Sequence, residues 1–201
     1  MSTASRQRAP RKDPAERAAE IADAARDLAL EQGLSAVTLR AVGARIGVAS
    51  ALVAHYSAGM DDLVARAFQQ IVSAELADIS ALLAHTEDPA ARMDQLIATT
   101  LDGTREDVTL IWVESWILGR RSEPLAAVVR DAMDGWHGLV RGIIDDGLRT
   151  SAFAVDDADA AAWQVLGMID GLNAQGLVRW GESAARVPLL QSAVAGMLAR
   201  R

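Results

Sequence analysis

The 201-residue chain has no cysteine and only three histidines, His55, His85 and His137, which are far apart in it. A disulfide framework and a thiolate zinc site are therefore excluded, and no spacing is left for a metal cluster. Runs of β-branched residues of strand length are scarce, whereas Ala, Leu, Asp, Glu and Arg abound in a composition that is 51% hydrophobic. That balance predicts helices and no sheet, so an all-α fold. Long apolar runs are missing too. The most apolar stretch, Val108 to Leu118, is short and carries Glu114, and no apolar signal core follows the basic N-terminus. No membrane span is expected, and the cytoplasm is the expected location. Nucleophiles with an adjacent base, phosphate-binding glycine loops and metal-ligand spacings are also absent, so neither an enzyme nor a cofactor is expected.

What is present is unevenly placed. The formal charge is -7 overall, but residues 1 to 60 hold eight basic side chains against six acidic ones, a net of +2, and the rest holds 12 against 21, a net of -9. Only this first part suits a polyanion. Residues 1–12 carry four basic residues, no acidic ones and little apolar content, which reads as a flexible arm, either a solubility tail or a DNA-contacting segment.

Helix starts are marked by cap residues followed by proline or acids. Asp13-Pro14-Ala15-Glu16 opens a helix over 14–32, with Ile21, Ala24, Ala25 and Leu28 at helical spacing up to Gly33. Thr38 caps a helix through Ile46, a short one runs from Ser50 to Tyr56, and Asp61 opens a long one over 61–84. Asp88-Pro89 and Glu106 start helices ending near Gly103 and Gly119. Ser122-Glu123-Pro124 starts one reaching Thr150, and Asp156 or Asp157 starts one reaching Trp180. Val187-Pro188 opens the last, to about Arg200. This gives about nine helices: an arm over 1–12, a three-helix head over 13–60, and a helical bundle over 61–201.

Within the head, Thr38 to Tyr56 has the spacing of a helix-turn-helix. Gly43 stands where two helices would cross, Gly47 in the turn, and Val53 where the second helix must seal onto the core. Leu39, Val42 and Ile46 form the inward stripe of the first helix, which leaves Ser50, Ala51, Ala54 and His55 outward on the second. Such a second helix fits the major groove, and the first can present its unpaired amides to a phosphate at Thr38. The same spacing also suits a plain helical hairpin, His55 a hydrogen-bonded surface histidine, and Arg40 and Arg45 a solvated face.

The segment resembles the TetR family of repressors: Thr-Leu-Arg-x-Val-Gly-x-x-x-Gly-Val from Thr38 to Val48, then His55-Tyr56, then Asp61-Asp62-Leu63. The likeness covers residues 15–64. It implies phosphate contacts from Thr38 and Tyr56, base or near-base contacts from Ser50, Ala51 and His55, and support from Arg40 and Arg45. The chain departs from the family pattern at Ala49, Ala54, Ser57 and Met60, and mildly at Val53. Methionine at position 60 lacks the family lysine's reach to a backbone phosphate, which lowers the expected operator affinity unless the arm compensates. With few long polar side chains outward, base readout is thin, and thymine-methyl contact or DNA shape carries more of it.

All five tryptophans, Trp112, Trp116, Trp136, Trp163 and Trp180, lie in the body. Trp112 and Trp116 share one helix face, Glu114 lies on the opposite one, and Asp170 shares a face with Trp163. Rings beside a carboxylate can hold an organic cation; the same rings can also simply fill a core. The candidate ligand residues are Trp112, Glu114, Trp116, Trp136, Trp163 and Asp170. The body is similar to the BetI-type subgroup, through Ile111-Trp-Val-Glu-Ser-Trp116, the helix with Trp136 and Arg141, and Leu166-Gly-Met-Ile-Asp-Gly-Leu172.

In the last two helices, Trp163, Leu166, Ile169 and Leu177, then Leu190, Val194, Met197 and Leu198, form apolar stripes. The family resemblance implies that these helices form an intersubunit four-helix bundle, hence a homodimer on a palindromic double-stranded DNA operator; a monomer burying the stripes internally is the alternative. The resulting expectation is a DNA-binding repressor released by an unidentified small-molecule effector. Two rivals stand beside it: a DNA-binding adaptor that senses a protein, and a small helical enzyme.

Overall fold

The computed structural model describes residues 13–199, so the arm expected over 1–12 lies outside the described residues. Nine α-helices follow in order: α1 (Pro14–Gln32), α2 (Leu39–Arg45), α3 (Ser50–Tyr56), α4 (Met60–Leu83), α5 (Pro89–Leu101), α6 (Glu106–Gly119), α7 (Glu123–Arg149), α8 (Ala158–Leu177) and α9 (Ser183–Leu198). A single 3-10 turn, Leu34–Ala36, joins α1 to α2. No strand occurs among the described residues.

Local chemistry sets most of these boundaries. Asp13 accepts from the Ala15 amide, Thr38 from Ala41, Asp88 from Ala91 and Asp157 from Ala160, at 2.8 to 3.0 Å, each satisfying an amide that the first turn leaves free. The α2–α3 crossing depends on two glycines. A Cβ on Gly43 would stand 2.8 Å from the Val48 carbonyl oxygen, and Gly47 takes φ +71 in the turn, a region side chains rarely enter.

Two helix limits differ from the expectation. α8 stops at Leu177, three residues before Trp180, because Arg179 turns to φ +56 and the Trp180 amide bonds back to the Gln175 carbonyl. α9 starts at Ser183 and not at Val187, so Pro188 falls inside the helix. There it removes the amide that would serve the Ala184 carbonyl. The earlier start is held by Arg186, whose guanidinium donates to the Trp180 carbonyl at 3.3 Å and lies against Gly176 of α8.

α4 threads two apolar cores. Its first half, with Leu63, Phe68 and Ile71, packs against Ile21, Leu28, Val42 and Val53 of the head and against Ile111, Leu125 and Val129 from α6 and α7. Its second half packs against α5 and α7, and Ile79 and Leu83 share a core with Leu96, Ile97, Val140 and Ile144 of those helices, Val165 of α8 and Leu190 of α9. The head core is thus shared with the body. Trp112 of α6 packs against both cores.

The stripe read for pairing is largely internal. Ile169, Leu190, Val194 and Leu198 are buried within the chain, and Leu166, Leu177 and Met197 are half-buried, because α8 and α9 close the second core against α5 and α7. What α8 and α9 turn outward is a different face. No helix among the described residues is long and apolar enough to cross a membrane.

Candidate functional site

The head presents α3 outward. Val53 is fully buried, which fixes the rotation of this two-turn helix and leaves Ser50, Ala51, Ala54 and His55 exposed. Tyr56 is half-buried, its ring edge-on to the His55 ring at 5.3 Å. Thr38 stands at the start of α2 with its hydroxyl on the Ala41 amide. Arg40 is exposed and pairs with no acid among the described residues. Arg45 differs: its guanidinium donates to both Glu31 oxygens at 2.8 and 2.5 Å, with Asp27 3.9 Å away. The bond to Glu31 comes first in raising its pKa, and Glu31 is lowered in return. Arg45 is thus tied back to α1.

In the body, a cavity of about 120 Å³ lies between α4, α6, α7 and α8, close in size to engineered cavities of roughly 150 Å³ that hold benzene. Trp112, Trp116, Trp136 and Trp163 all line it, and so does Asp170. The Trp112 and Trp116 rings sit 6.4 Å apart, and the Trp163 ring packs 5.7 Å from that of His137. The i, i+4 repeat on α6 brings the first pair together, and Trp163 and Asp170 share the inner side of α8. Two of the rings, Trp116 and Trp136, keep buried indole N–H groups with no acceptor among the described residues.

Two carboxylates meet these rings. Asp170 makes no hydrogen bond or ion pair among the described residues, and burial pushes its carboxyl up to about 6. Glu75 of α4 accepts from the Trp112 indole at 3.3 Å and has Arg105 at 3.9 Å. Burial raises its pKa, while the Trp112 bond and the Arg105 charge pull the other way. Asp134 lines the cavity from an exposed position. Within the cavity Glu75 and Arg105 offset one another, which leaves two carboxylates without an ion-pair partner among the described residues, Asp170 and the exposed Asp134.

Glu114 does not reach the cavity. It lies on the other side of α6 and accepts from the Ser35 amide and hydroxyl of the head. Glu75 takes the second acidic place, and sequence reading missed it, because its partners Trp112 and Arg105 belong to another helix and the loop before it. Among the described residues no group of His, Cys, Asp and Glu is placed to hold a metal ion.

Comparison with known proteins assigns both halves. Residues 21–67 match the model of bacterial regulatory proteins of the tetR family, and residues 89–199 match that of the C-terminal domain of BetI-type transcriptional repressors. The HTH-type transcriptional regulator BetI of Brucella anthropi is 25% identical over 113 residues, which are 55% of this chain and 58% of that protein. The chain therefore matches less than two thirds of that relative's length. Among solved structures, a transcriptional regulator from Saccharomonospora viridis in complex with choline superposes with a TM-score of 0.82 at 21% identity, over 93% of this chain and 100% of that one. A transcriptional regulator from Rhodococcus sp. Rha1 gives 0.75 at 22% identity, over 90% and 95%. At these identities the two structures share the fold.

Proposed function

Because the chain belongs to the TetR family and carries the C-terminal domain of BetI-type repressors, we propose that it is a transcriptional repressor released from its operator by a compact organic cation bound in the body. The protein is a regulator and not an enzyme. Double-stranded DNA is met by α3 in the major groove, with Ser50, Ala51 and His55 at the bases, Thr38, Arg40 and Tyr56 at phosphates, and Arg45 supporting from its pair with Glu31.

The single observation that carries the effector reading is Asp170, an unpaired, half-buried carboxylate in a cavity lined by four indoles. Ring faces attract a cation through their quadrupole, and an unpaired carboxylate beside them favours a positive charge. The choline seen in the Saccharomonospora viridis regulator is a compact organic cation of this kind, which makes it the first probe and not the assigned effector.

Pairing of two copies through α8 and α9 belongs to the same reading. Their outward faces carry Gly167, Gly171, Leu189, Ser192, Ala193 and Gly196, all exposed and none charged, a surface on which two helix pairs can approach closely. Two heads related by a twofold axis would read a palindromic operator.

The test is a melting and mobility-shift experiment on the full chain with DNA flanking its own gene. Choline is expected to raise the melting temperature and weaken the DNA complex, and Asp170→Asn to lose both responses while still binding DNA. Stabilisation by anions alone, or a melting response that survives in Asp170→Asn, would reject the cation.

A further inference from the structure

Glu114 sits two residues from both Trp112 and Trp116, so the turn of α6 points it away from the cavity those rings line. Its carboxylate accepts from the Ser35 amide at 3.3 Å and from the Ser35 hydroxyl at 2.9 Å. Ser35 is the middle residue of the turn Leu34–Ala36, which has no side-chain cap of its own. A carboxylate from the body thus supplies the acceptor that a local cap residue would ordinarily provide. Gly33, just before, takes φ +87, and a Cβ there would stand 2.6 Å from a Glu114 oxygen. Its backbone conformation favours glycine at position 33, and a Cβ there would push the Glu114 carboxylate aside.

The other side of α6 is the cavity wall. There Trp112 donates to Glu75 of α4 at 3.3 Å, and its ring meets the Phe68 ring edge-on at 5.2 Å. Phe68 is fully buried in the core that α4 shares with the head. One helix therefore carries the rings that line the cavity and the carboxylate that holds the turn leading into α2, with a single residue between Glu114 and each ring. Packed helices shift as units, so a ligand that moves Trp112 or Trp116 moves Glu114.

We propose that Glu114 is a positioning residue for DNA binding: its two hydrogen bonds to Ser35 join α6 to the helix-turn-helix and pass the state of the cavity to the head. The nature of the ligand rests on the effector reading above, but the joint exists without one and is testable without one. In the ligand-free full chain, hydrogen exchange is the readout. Ser35→Ala is expected to speed amide exchange in α6 over residues 109–116, and Glu114→Ala over 34–46, each about fivefold, the worth of one hydrogen bond. Glu114→Gln keeps an acceptor for the Ser35 hydroxyl and is expected to restore the wild-type pattern. Exchange in α6 unchanged by Ser35→Ala overturns the proposal whatever the effector is; should Glu114→Ala fail to fold, Ser35→Ala carries the test.

On DNA flanking the gene, wild-type affinity is expected to fall by roughly 5- to 150-fold in saturating choline, the usual range of coupling between sites. Glu114→Ala is expected to respond less than about twofold and Glu114→Gln like the wild type. A full response in Glu114→Ala overturns the joint. A wild type indifferent to choline counts against the effector reading alone, and the exchange result still decides the joint.

Discussion

Asp170 gives the body its pH dependence. An ordinary aspartate releases its proton near 3.8, and burial moves this one up to about 6. The folded chain thus holds this proton more tightly than the unfolded one, so the cost of the buried charge is present above pH 6 and is relieved as the pH falls from 6 towards 4. Cation binding has the opposite sign, since only the ionised form attracts it. Choline affinity, measured by calorimetry, is expected to be flat above about pH 7 and to fall about tenfold per unit below 6, until the carboxyl in the complex itself protonates. Asp170→Asn should bind weakly and without that break. A wild-type profile with no break between pH 7 and 5 would remove Asp170 from the site. Glu75 is raised as well, by burial against the pull of Trp112 and Arg105, so Glu75→Gln in the same series separates the two carboxylates. Of the six body residues that the sequence singled out, Trp112, Trp116, Trp136, Trp163 and Asp170 line one cavity. Spacing along a helix reveals which residues share a face, as it did for Trp163 and Asp170. It is silent on what stands across from that face, and so gave neither Glu75 to Trp112 nor Ser35 to Glu114, 79 residues away.

At the level of elements, cap chemistry made the helices legible. Asp13-Pro14 and Asp88-Pro89 open α1 and α5 with both the cap bond and the proline in place, because an N-terminal proline lacks only an amide that the first turn leaves free anyway. The same rule misplaced the start of α9, since a proline in the second turn is tolerated when tertiary contacts, here Arg186 on the end of α8, hold the turn before it. The helix-turn-helix was legible for a different reason: Gly43, Gly47 and Val53 are dictated by the crossing itself. The face it presents is short-chained, and Met60 begins α4 half-exposed, at the position where the proposed docking on DNA would let a cation reach a phosphate. Met60→Lys is therefore expected to tighten DNA binding and to steepen the slope of log affinity against log salt by about 0.9, one phosphate's worth of released counterion. An unchanged slope would mean that the start of α4 stands away from the DNA backbone. His55→Ala should leave that slope nearly as it was and alter sequence preference, as a base-edge contact does.

Charge is unevenly divided over the whole molecule: a net of +2 over the first sixty residues and -9 beyond suits the head to DNA and, on the proposed reading, the body to a cation. The cavity is built from α4, α6, α7 and α8 of one chain, whereas reading two half-sites requires two chains. Most of the residues that looked like a pairing stripe in the sequence are spent on the internal core, while Trp163 stays exposed on the cavity, for periodicity tells that a helix has an apolar face without telling which neighbour covers it. The surface left for a second copy is the uncharged outward face of α8 and α9, where Leu189 is 61% exposed and a Cβ added to Gly196 would meet nothing within 4 Å. A carboxylate at either place would bring like charges face to face across a twofold axis, because a residue near that axis meets its own copy. Leu189→Glu and Gly196→Glu are thus expected to shift the protein from dimer to monomer at micromolar concentration in sedimentation velocity. DNA affinity should fall with dimerisation, because each head alone contacts one half-site. Choline stabilisation should persist in the monomer, since the cavity walls come from a single chain. A variant that stays dimeric would place the pairing surface elsewhere, and a monomer that lost choline binding would mean that the partner completes the cavity.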